Sequence, residues 1–144
     1  MSRYRQEAQI RASVHRAWTV LADFERWPEW NPAVIRIEPL GRMPPGPGSR
    51  FLIHQPKLRP ASWVITGWEP EHRFVWESAS PGVAVVGGHL LETRGEGCGL
   101  TLDLYFKGWL GGVAGFFGGR LVERYMRLEA EGLKARSEGP AQPL

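Results

Sequence analysis

The spacing of apolar side chains changes along this chain, and the change limits the folds that it can adopt. Polar and apolar residues alternate over most of residues 34–107, which is the period of a strand with one buried face. From about residue 109 the apolar residues recur every three to four positions, which predicts one long amphipathic helix. Such a helix has to bury its apolar stripe against the apolar face of the sheet. The sequence therefore predicts an α+β domain.

A strand and a helix are predicted before the sheet segments. The strand covers residues 3–11, and Ser13 can cap a helix that ends near Asp23. The stretch DFERWPEWNP at 23–32 follows, with at most one short helical turn held between its prolines. Apolar positions define the buried sides of the strand (Tyr4, Ala8 and Ile10) and of the helix (Val14, Ala17, Trp18 and Leu21).

The alternating segments predict a curved antiparallel sheet of six or seven strands, because short turns such as EPEH and RGEGCG separate them. After the first strand, the segments lie near residues 34–38, 50–54, 61–69, 73–77, 83–94 and 100–107. Their alternation predicts that one set of side chains faces the helix: Ile35, Ile37, Phe51, Ile53, Trp63, Phe74 and Trp76.

The predicted C-terminal helix starts near residue 109. Its apolar stripe consists of Leu110, Val113, Ala114, Phe117, Leu121, Tyr125 and Leu128, and its solvent face of Glu123, Arg127, Glu129 and Lys134. Glycines interrupt the first half, so a frayed or kinked start is expected. These glycines either leave a cavity under the helix or allow close packing on the sheet. Residues 1–137 are predicted to form one domain, with a disordered tail over 138–144.

Composition excludes several classes of protein. The net charge of +3 is spread along the chain without a basic block, so we expect no nucleic acid partner. Cys98 is the only cysteine, which rules out an internal disulfide. The N-terminus has no apolar signal region, and the most apolar run, 108–119, is too short to span a bilayer. The sequence predicts a soluble, cytoplasmic protein that is a monomer or a homodimer.

This order of elements, together with one phrase near the N-terminus, resembles the START-like superfamily, also called SRPBCC or Bet v 1-like. The closest group is that of small bacterial polyketide-cyclase/dehydrase-like proteins. The phrase is Leu–x–Asp–Phe–x–x–Trp–x–x–Trp–Asn–Pro, here Leu21, Asp23, Phe24, Trp27, Trp30, Asn31 and Pro32. GWEPEHRFVW (67–76), GGHLLE (87–92) and FKGWL (106–110) also resemble family segments, and the likeness covers roughly residues 3–136.

The resemblance implies a helix-grip fold, in which the sheet wraps around the C-terminal helix and short helices close one end of a cavity. In that fold Trp27 and Trp30 would line the mouth of the cavity, or would simply fill the core. An apolar lining with few polar groups suits a small hydrophobic ligand. The candidate ligand-binding residues are Trp27, Trp30, Trp63, Phe74, Trp76, His89, Val113, Phe117, Leu121 and Tyr125.

His89 is the best candidate for a catalytic residue. Strand parity places it on the inward face with Leu91, whereas Glu92 and Arg94 face out. A buried imidazole can orient a ligand carbonyl or hydroxyl or transfer a proton, or it can be a core residue satisfied by the backbone. Burial without a charged partner would favour its neutral form. His54 has the opposite parity and is expected to face solvent, and His15 and His72 lie in a helix start and a turn.

Other chemistries find no support in the sequence. The histidines form no metal-binding spacing, no G-x-S-x-G is present, and glycines 41, 46 and 48 are separated by prolines, so we expect no metal or cofactor. Asp23 and Glu29 could be read as paired carboxylates but are expected to be solvated. Arg120 and Arg124 could meet an acidic ligand group or pair with glutamates of the sheet.

Three functions remain open on this basis. The first is binding or carrying a lipid, isoprenoid, aromatic or polyketide-like compound in the cavity. The second is a cyclase, aromatase or dehydratase that uses His89, with Tyr125 as an assisting group. The third is a non-catalytic interaction module that contacts another protein through the sheet or exposed aromatic residues.

Overall fold

A computed structural model describes residues 3–41, 44–109 and 111–140, and describes only the backbone of residues 111–118. One antiparallel sheet has the strand order β1-β7-β6-β5-β4-β3-β2, so β1 and β2 lie at opposite edges. The strands are β1 (Arg3–Ile10), β2 (Arg36–Pro39), β3 (Arg50–His54), β4 (Ala61–Glu69), β5 (Arg73–Ser80), β6 (Val83–Arg94) and β7 (Gly97–Lys107). The helices are α1 (Val14–Ala22), α2 (Trp27–Trp30) and α3 (Gly111–Glu138).

This architecture confirms the predicted fold class. The chain follows a meander from β2 to β7, and α1 and α2 connect β1 to the far edge of the sheet. Helix α3 packs across β1 and β7 and over the inner face of the sheet. The helix begins within two residues of the predicted start and ends at Glu138. The end of the predicted tail, residues 141–144, lies outside the described residues.

Helix α1 forms for the reasons that the sequence suggests. Ser13 precedes it in extended conformation, and its Oγ accepts a hydrogen bond of 3.0 Å from the backbone N–H of Arg16. The apolar side of the helix is buried at Ala17, Trp18 and Leu21. The helix ends at Ala22, one residue before the predicted end.

The stretch at 23–32 contains two short turns rather than one. A 3-10 turn covers Phe24–Arg26 and α2 follows directly, with Pro28 in the first turn of α2, where its missing N–H is not needed. Both tryptophans are buried, Trp27 with 1% and Trp30 with 7% of its surface exposed. The Trp27 indole N–H donates to the Leu21 carbonyl at 2.8 Å. The prolines thus shape a compact turn that buries both rings.

Helix α3 meets α2 at a close backbone contact. A Cβ atom added at Gly132 would lie 2.0 Å from the carbonyl oxygen of Trp30, so only glycine fits at this crossing. The buried stripe of the helix is rotated from the predicted one. Of the predicted stripe, Leu121, Tyr125 and Leu128 are half-buried. The other four members, Leu110, Val113, Ala114 and Phe117, lie outside the described side chains. The helix packs on the sheet through Val122, Met126, Ala130 and Leu133.

The prediction for Ile35 is wrong, because its side chain is 61% exposed. Strand β2 begins one residue later, at Arg36, and no partner residue is paired with Ile35 in the strand register. Val34 is buried instead, at the end of the turn that follows α2. Side chains alternate between the two faces only where a strand is paired with its neighbour. The other predicted inward residues are confirmed: Ile37, Phe51, Ile53, Phe74 and Trp76 are buried, and Trp63 is half-buried against the core.

Candidate functional site

Two adjoining cavities lie between the sheet and α3. The larger, here called the outer chamber, has a volume of about 360 Å³, and the smaller, the inner cavity, has about 80 Å³. They share the side chains of Gln55, Trp63, Leu104 and Met126. The two spaces are therefore neighbours, with these four side chains at their boundary.

The outer chamber is mainly apolar. Strands β4, β6 and β7 supply Ala61, Val85 and Phe106, and α3 supplies Leu121 and Val122. Its polar lining residues are Gln55, Arg59, Ser78, Ser80 and Tyr125, and Arg59 is the only cation among its described lining residues. Its size and lining are those of a site for a small hydrophobic molecule.

The inner cavity is narrower and has a polar end. Three indole rings surround it, those of Trp27, Trp63 and Trp76. Gly87 lets the Trp76 indole pack closely on β6, since a Cβ atom there would lie 3.1 Å from Nε1 of Trp76. The polar end is formed by His89 of β6 and Glu129 of α3.

His89 and Glu129 form a buried pair. Their Nε2 and Oε2 atoms are 3.2 Å apart, and the side chains are only 5% and 17% exposed. The second carboxylate oxygen of Glu129 accepts a hydrogen bond of 3.4 Å from the Asn31 amide. The amide oxygen of Asn31 accepts from the backbone N–H of Ala33 at 3.0 Å, which fixes the orientation of the amide. Because the Glu129 carboxylate lies next to Nε2, we assign the ring hydrogen of His89 to Nε2, facing that carboxylate.

This pair corrects two predictions. Glu129 does not lie on the solvent face of the helix, and His89 is not buried without a charged partner. The inward orientation of His89 is confirmed, because it is buried beside Leu91 on the inner face of β6.

The ring of His89 is held on several sides. It stacks on Phe74 with the centroids 4.0 Å apart, and Trp76 stands perpendicular to it at 5.4 Å. The other nitrogen, Nδ1, is buried and has no hydrogen-bond partner among the described residues. The indole N–H of Trp63 is likewise buried and has no hydrogen-bond partner among the described residues. A buried polar atom without a partner is costly, so these two atoms suit polar groups of a ligand.

Tyr125 belongs to the outer chamber and is engaged elsewhere. Its hydroxyl donates to the backbone carbonyl of Pro56, in the loop between β3 and β4. Burial raises the pKa of the Tyr125 phenol, and the charge of Arg124 opposes part of that shift. This arrangement ties α3 to the loop and does not support Tyr125 as an assisting group for His89.

The other candidate ligand-binding residues divide into three groups. Trp27, Trp63, Trp76 and His89 line the inner cavity, and Leu121 lines the outer chamber with Tyr125. Trp30 and Phe74 are buried but are not among the lining residues of either space. Val113 and Phe117 lie outside the described side chains. Their contacts with a ligand stay predictions.

The remaining polar candidates have structural partners or face solvent. Asp23 lies 3.4 Å from Arg26 and Glu29 lies 2.6 Å from Arg136, so the two carboxylates do not form a pair. His54 is half-buried against Glu38 at 3.0 Å rather than fully exposed. His15 contacts Glu71, and His72 contacts the Leu91 carbonyl at 3.2 Å.

Arg120 and Arg124 are exposed and form no ion pair with any residue of the described chain. Within the same part of the chain, no group of three or more histidine, cysteine and acidic side chains is arranged to hold a metal ion. No helix in the described ranges is long and apolar enough to cross a membrane.

The sheet, the gripped helix and the cavities between them define a helix-grip protein with an internal site. Residues 1–138 match the family described as polyketide cyclase / dehydrase and lipid transport, and the chain belongs to that family. No protein of curated function matches the sequence.

Solved structures share the fold at low sequence identity. The Zhui aromatase/cyclase from Streptomyces has a TM-score of 0.76 at 17% identity, over 95% of this chain and 93% of that one. A protein from Thermus thermophilus has a TM-score of 0.75 at 20% sequence identity, over 94% of this chain and 97% of that one. The di-domain ARO/CYC StfQ of the steffimycin biosynthetic pathway has a TM-score of 0.76 at 15% sequence identity, over 94% of this chain. The present chain spans about half the length of that di-domain protein, 50%.

Proposed function

We propose that this protein binds a small hydrophobic molecule, of an aromatic or polyketide-like kind, between the sheet and α3. The apolar body of the ligand occupies the outer chamber and its polar end enters the inner cavity. The observation that carries this proposal is the apolar space of about 360 Å³ that adjoins a small cavity ending at His89 and Glu129. Membership of a family named for cyclases, dehydrases and lipid transport supports it.

Apolar burial sets the scale of the expected affinity. A two-ring aromatic molecule that buries about 250 Å² of apolar surface gains roughly 6 kcal/mol at about 25 cal/mol per Å². The binding free energy from burial is smaller than this gain, because the ligand loses translational freedom on binding. Burial alone therefore gives a Kd no lower than about 40 μM. Titrations should therefore extend to high micromolar concentrations of ligand.

Blocking the outer chamber tests the proposal. Val85 lines the chamber, and the Val85→Trp variant should fill it and abolish binding of N-phenyl-1-naphthylamine, an uncharged fluorescent probe. Val64 has the opposite strand parity from the buried Ile65, so Val64→Trp on the outer face is the matched control. The wild type and the control should bind one equivalent of probe. Equal binding by both variants, or no binding by the wild type, would refute a ligand site in the chamber.

A second candidate function is acid–base catalysis of cyclase, aromatase or dehydratase type. The observation that favours it is the arrangement of His89, with Glu129 at Nε2 and no described partner at Nδ1. A carboxylate behind an imidazole stabilises the imidazolium that forms when the other nitrogen accepts a proton. The fold of the Streptomyces aromatase/cyclase offers a comparable frame.

Hydrogen exchange at a carbon acid tests this second candidate. The wild type should accelerate deuterium uptake at the central carbon of a bicyclic 1,3-diketone in D₂O, as measured by NMR. The His89→Gln variant should lose that acceleration, because glutamine cannot act as a base. Uptake at the buffer rate with the wild type, or at equal rates with both proteins, would exclude this chemistry and leave binding as the function.

A further inference from the structure

We infer that the inner cavity selects ligands whose leading end is an uncharged hydroxyl group, such as a phenol or an enol, and rejects a carboxylate. This inference rests on the proposed function, because it names the chemistry that the same site recognises. It concerns two features that lie side by side: the Nδ1 atom of His89, which has no described partner, and the Glu129 carboxylate, with no basic side chain among the described lining residues.

The hydrogen-bond polarity of His89 favours a donor. A hydrogen on Nδ1 would be buried without a described acceptor, so the single ring hydrogen is assigned to Nε2, where it faces the Glu129 oxygen at 3.2 Å, and the imidazole then presents a lone pair at Nδ1. That atom is buried, and no described residue donates to it. A ligand hydroxyl can donate to it, whereas a ketone or an ether cannot.

The charge of the lining disfavours an anion. Among the described lining residues, His89 and Glu129 are the ionisable ones whose side chains face the inner cavity, and no lysine or arginine is present. Asp103 also lines it but alternates with the inward Leu102 and Leu104, so its side chain lies on the outer face of the sheet. Asp103 already pairs with Arg5 at 2.8 Å. A ligand carboxylate would be desolvated beside the Glu129 carboxylate, and like charges in a weakly polar site repel. A fatty acid would instead place its carboxylate outward, towards Arg59 of the outer chamber.

An ammonium group is also disfavoured, although Glu129 is acidic. Both oxygens of Glu129 are occupied, one by His89 at 3.2 Å and the other by Asn31 at 3.4 Å. A cation would have to displace one of these contacts and lose its own hydration shell. The inner cavity, at about 80 Å³, has room for a hydroxyl and the edge of a ring but not for a hydrated ion.

A matched set of naphthalenes tests the inference on the full chain. The set comprises naphthalene, 2-naphthol, 2-methoxynaphthalene, 2-acetylnaphthalene, 2-naphthoate and 2-naphthylmethylammonium, and affinity is measured by quenching of tryptophan fluorescence. The wild type should bind 2-naphthol about tenfold more tightly than naphthalene or the methyl ether, which is the effect of one buried hydrogen bond. It should bind the two ions more weakly than naphthalene.

Two substitutions locate the effect at Nδ1. His89→Gln keeps a polar group at the distal position, within reach of Glu129, and removes the one at Nδ1. His89→Asn keeps a polar atom near the Nδ1 position and gives up the distal contact. The preference for 2-naphthol over the methyl ether should disappear in His89→Gln and persist in part in His89→Asn. The emission band of bound 2-naphthol is a second measurement, since a base at the hydroxyl increases the naphtholate band in the wild type.

The outcomes separate this inference from the proposed function. Equal affinity of the wild type for 2-naphthol and its methyl ether, or tighter binding of the acetyl compound or of either ion, would overturn the inference and leave the chamber as a ligand site. Failure of every naphthalene to bind would overturn both. The comparison among ligands with the wild type alone decides the question if either variant fails to fold.

Discussion

Glu129 of α3 places its Oε2 atom 3.2 Å from Nε2 of His89 on β6, so one buried contact joins the helix to the inner face of the sheet. Asn31, which follows α2, holds the other oxygen of the same carboxylate at 3.4 Å. The three elements that surround the inner cavity are therefore connected through a single side chain.

Replacing Glu129 should destabilise the fold. The Glu129→Leu substitution leaves the Nε2 hydrogen of His89 and the amide of Asn31 without their acceptor, and we expect a loss of about 1–3 kcal/mol in the free energy of unfolding. Glu131→Leu, at an exposed position of the same helix, should change it by less than about 0.5 kcal/mol. Urea unfolding measures both. Equal stabilities would show that the buried contact does not hold the helix to the sheet.

Gly132 should tolerate no side chain, although glycine is unfavourable inside a helix. On helix propensity alone, Gly132→Ala would stabilise α3 by roughly 1 kcal/mol. The added Cβ would lie 2.0 Å from the Trp30 carbonyl oxygen, so we expect a lower melting temperature instead. Glu131→Ala next to it is the control for propensity and should leave the melting temperature unchanged or slightly raised. A stabilised Gly132→Ala variant would contradict the close packing of α2 on α3.

Glu138 should contribute a stability that depends on pH. The backbone N–H of Arg11 at 2.8 Å and Lys134 at 2.6 Å hold the pKa of the Glu138 carboxyl below its ordinary value of 4.5. A lowered pKa in the folded state means that this stability is present above the ordinary value and is lost as the pH falls through and below it.

The Glu138→Gln variant checks that sign. It should be less stable than the wild type near neutral pH, and the two unfolding curves should converge as the pH falls below 4.5. Glu123→Gln, at an exposed position of α3, should follow the wild type throughout. A difference between wild type and Glu138→Gln that grows on acidification would contradict the assigned ion pair.

Cys98 should report on global unfolding. It is the only cysteine of the chain and is buried in the core, and burial raises the pKa of its thiol. Both effects suppress the thiolate, which is the form that reacts. Labelling with a thiol reagent should therefore be slow in native buffer and should accelerate along the same urea transition as the tryptophan fluorescence. Fast labelling in native buffer would contradict the pairing of β7 with β1 and β6 around Cys98.

Much of the fold could be predicted from the sequence, because pairing between neighbouring strands makes side chains alternate between the two faces of the sheet. His89 could be placed inward from the polar residues Glu92 and Arg94 further along β6, and the pairing of His89 with Leu102 on β7 shows the register that holds it there. Ile35 fails the same test because the paired register begins at Arg36: the Ile35 N–H donates to the His54 carbonyl at 2.8 Å, but no residue of β3 is paired with Ile35, so alternation does not extend to its side chain.

The main residue that the sequence did not reveal is Glu129. Periodicity assigns the buried side of a helix by apolarity, so a charged residue is placed on the solvent side by default. Its spacing does contain a signal: it lies three residues after Met126 and four before Leu133, both of which are buried. The buried histidine supplies the partner that makes an inward carboxylate possible, and only the tertiary structure brings the two together.

A crystal structure of the complex with 2-naphthol tests the central claim most directly. The account predicts the rings between Trp63, Leu104 and Met126, where the outer chamber meets the inner cavity, with the hydroxyl oxygen within hydrogen-bond distance of Nδ1 of His89. A ligand bound only on the outer face of the sheet, or a space between sheet and α3 filled by side chains of the helix, would contradict it.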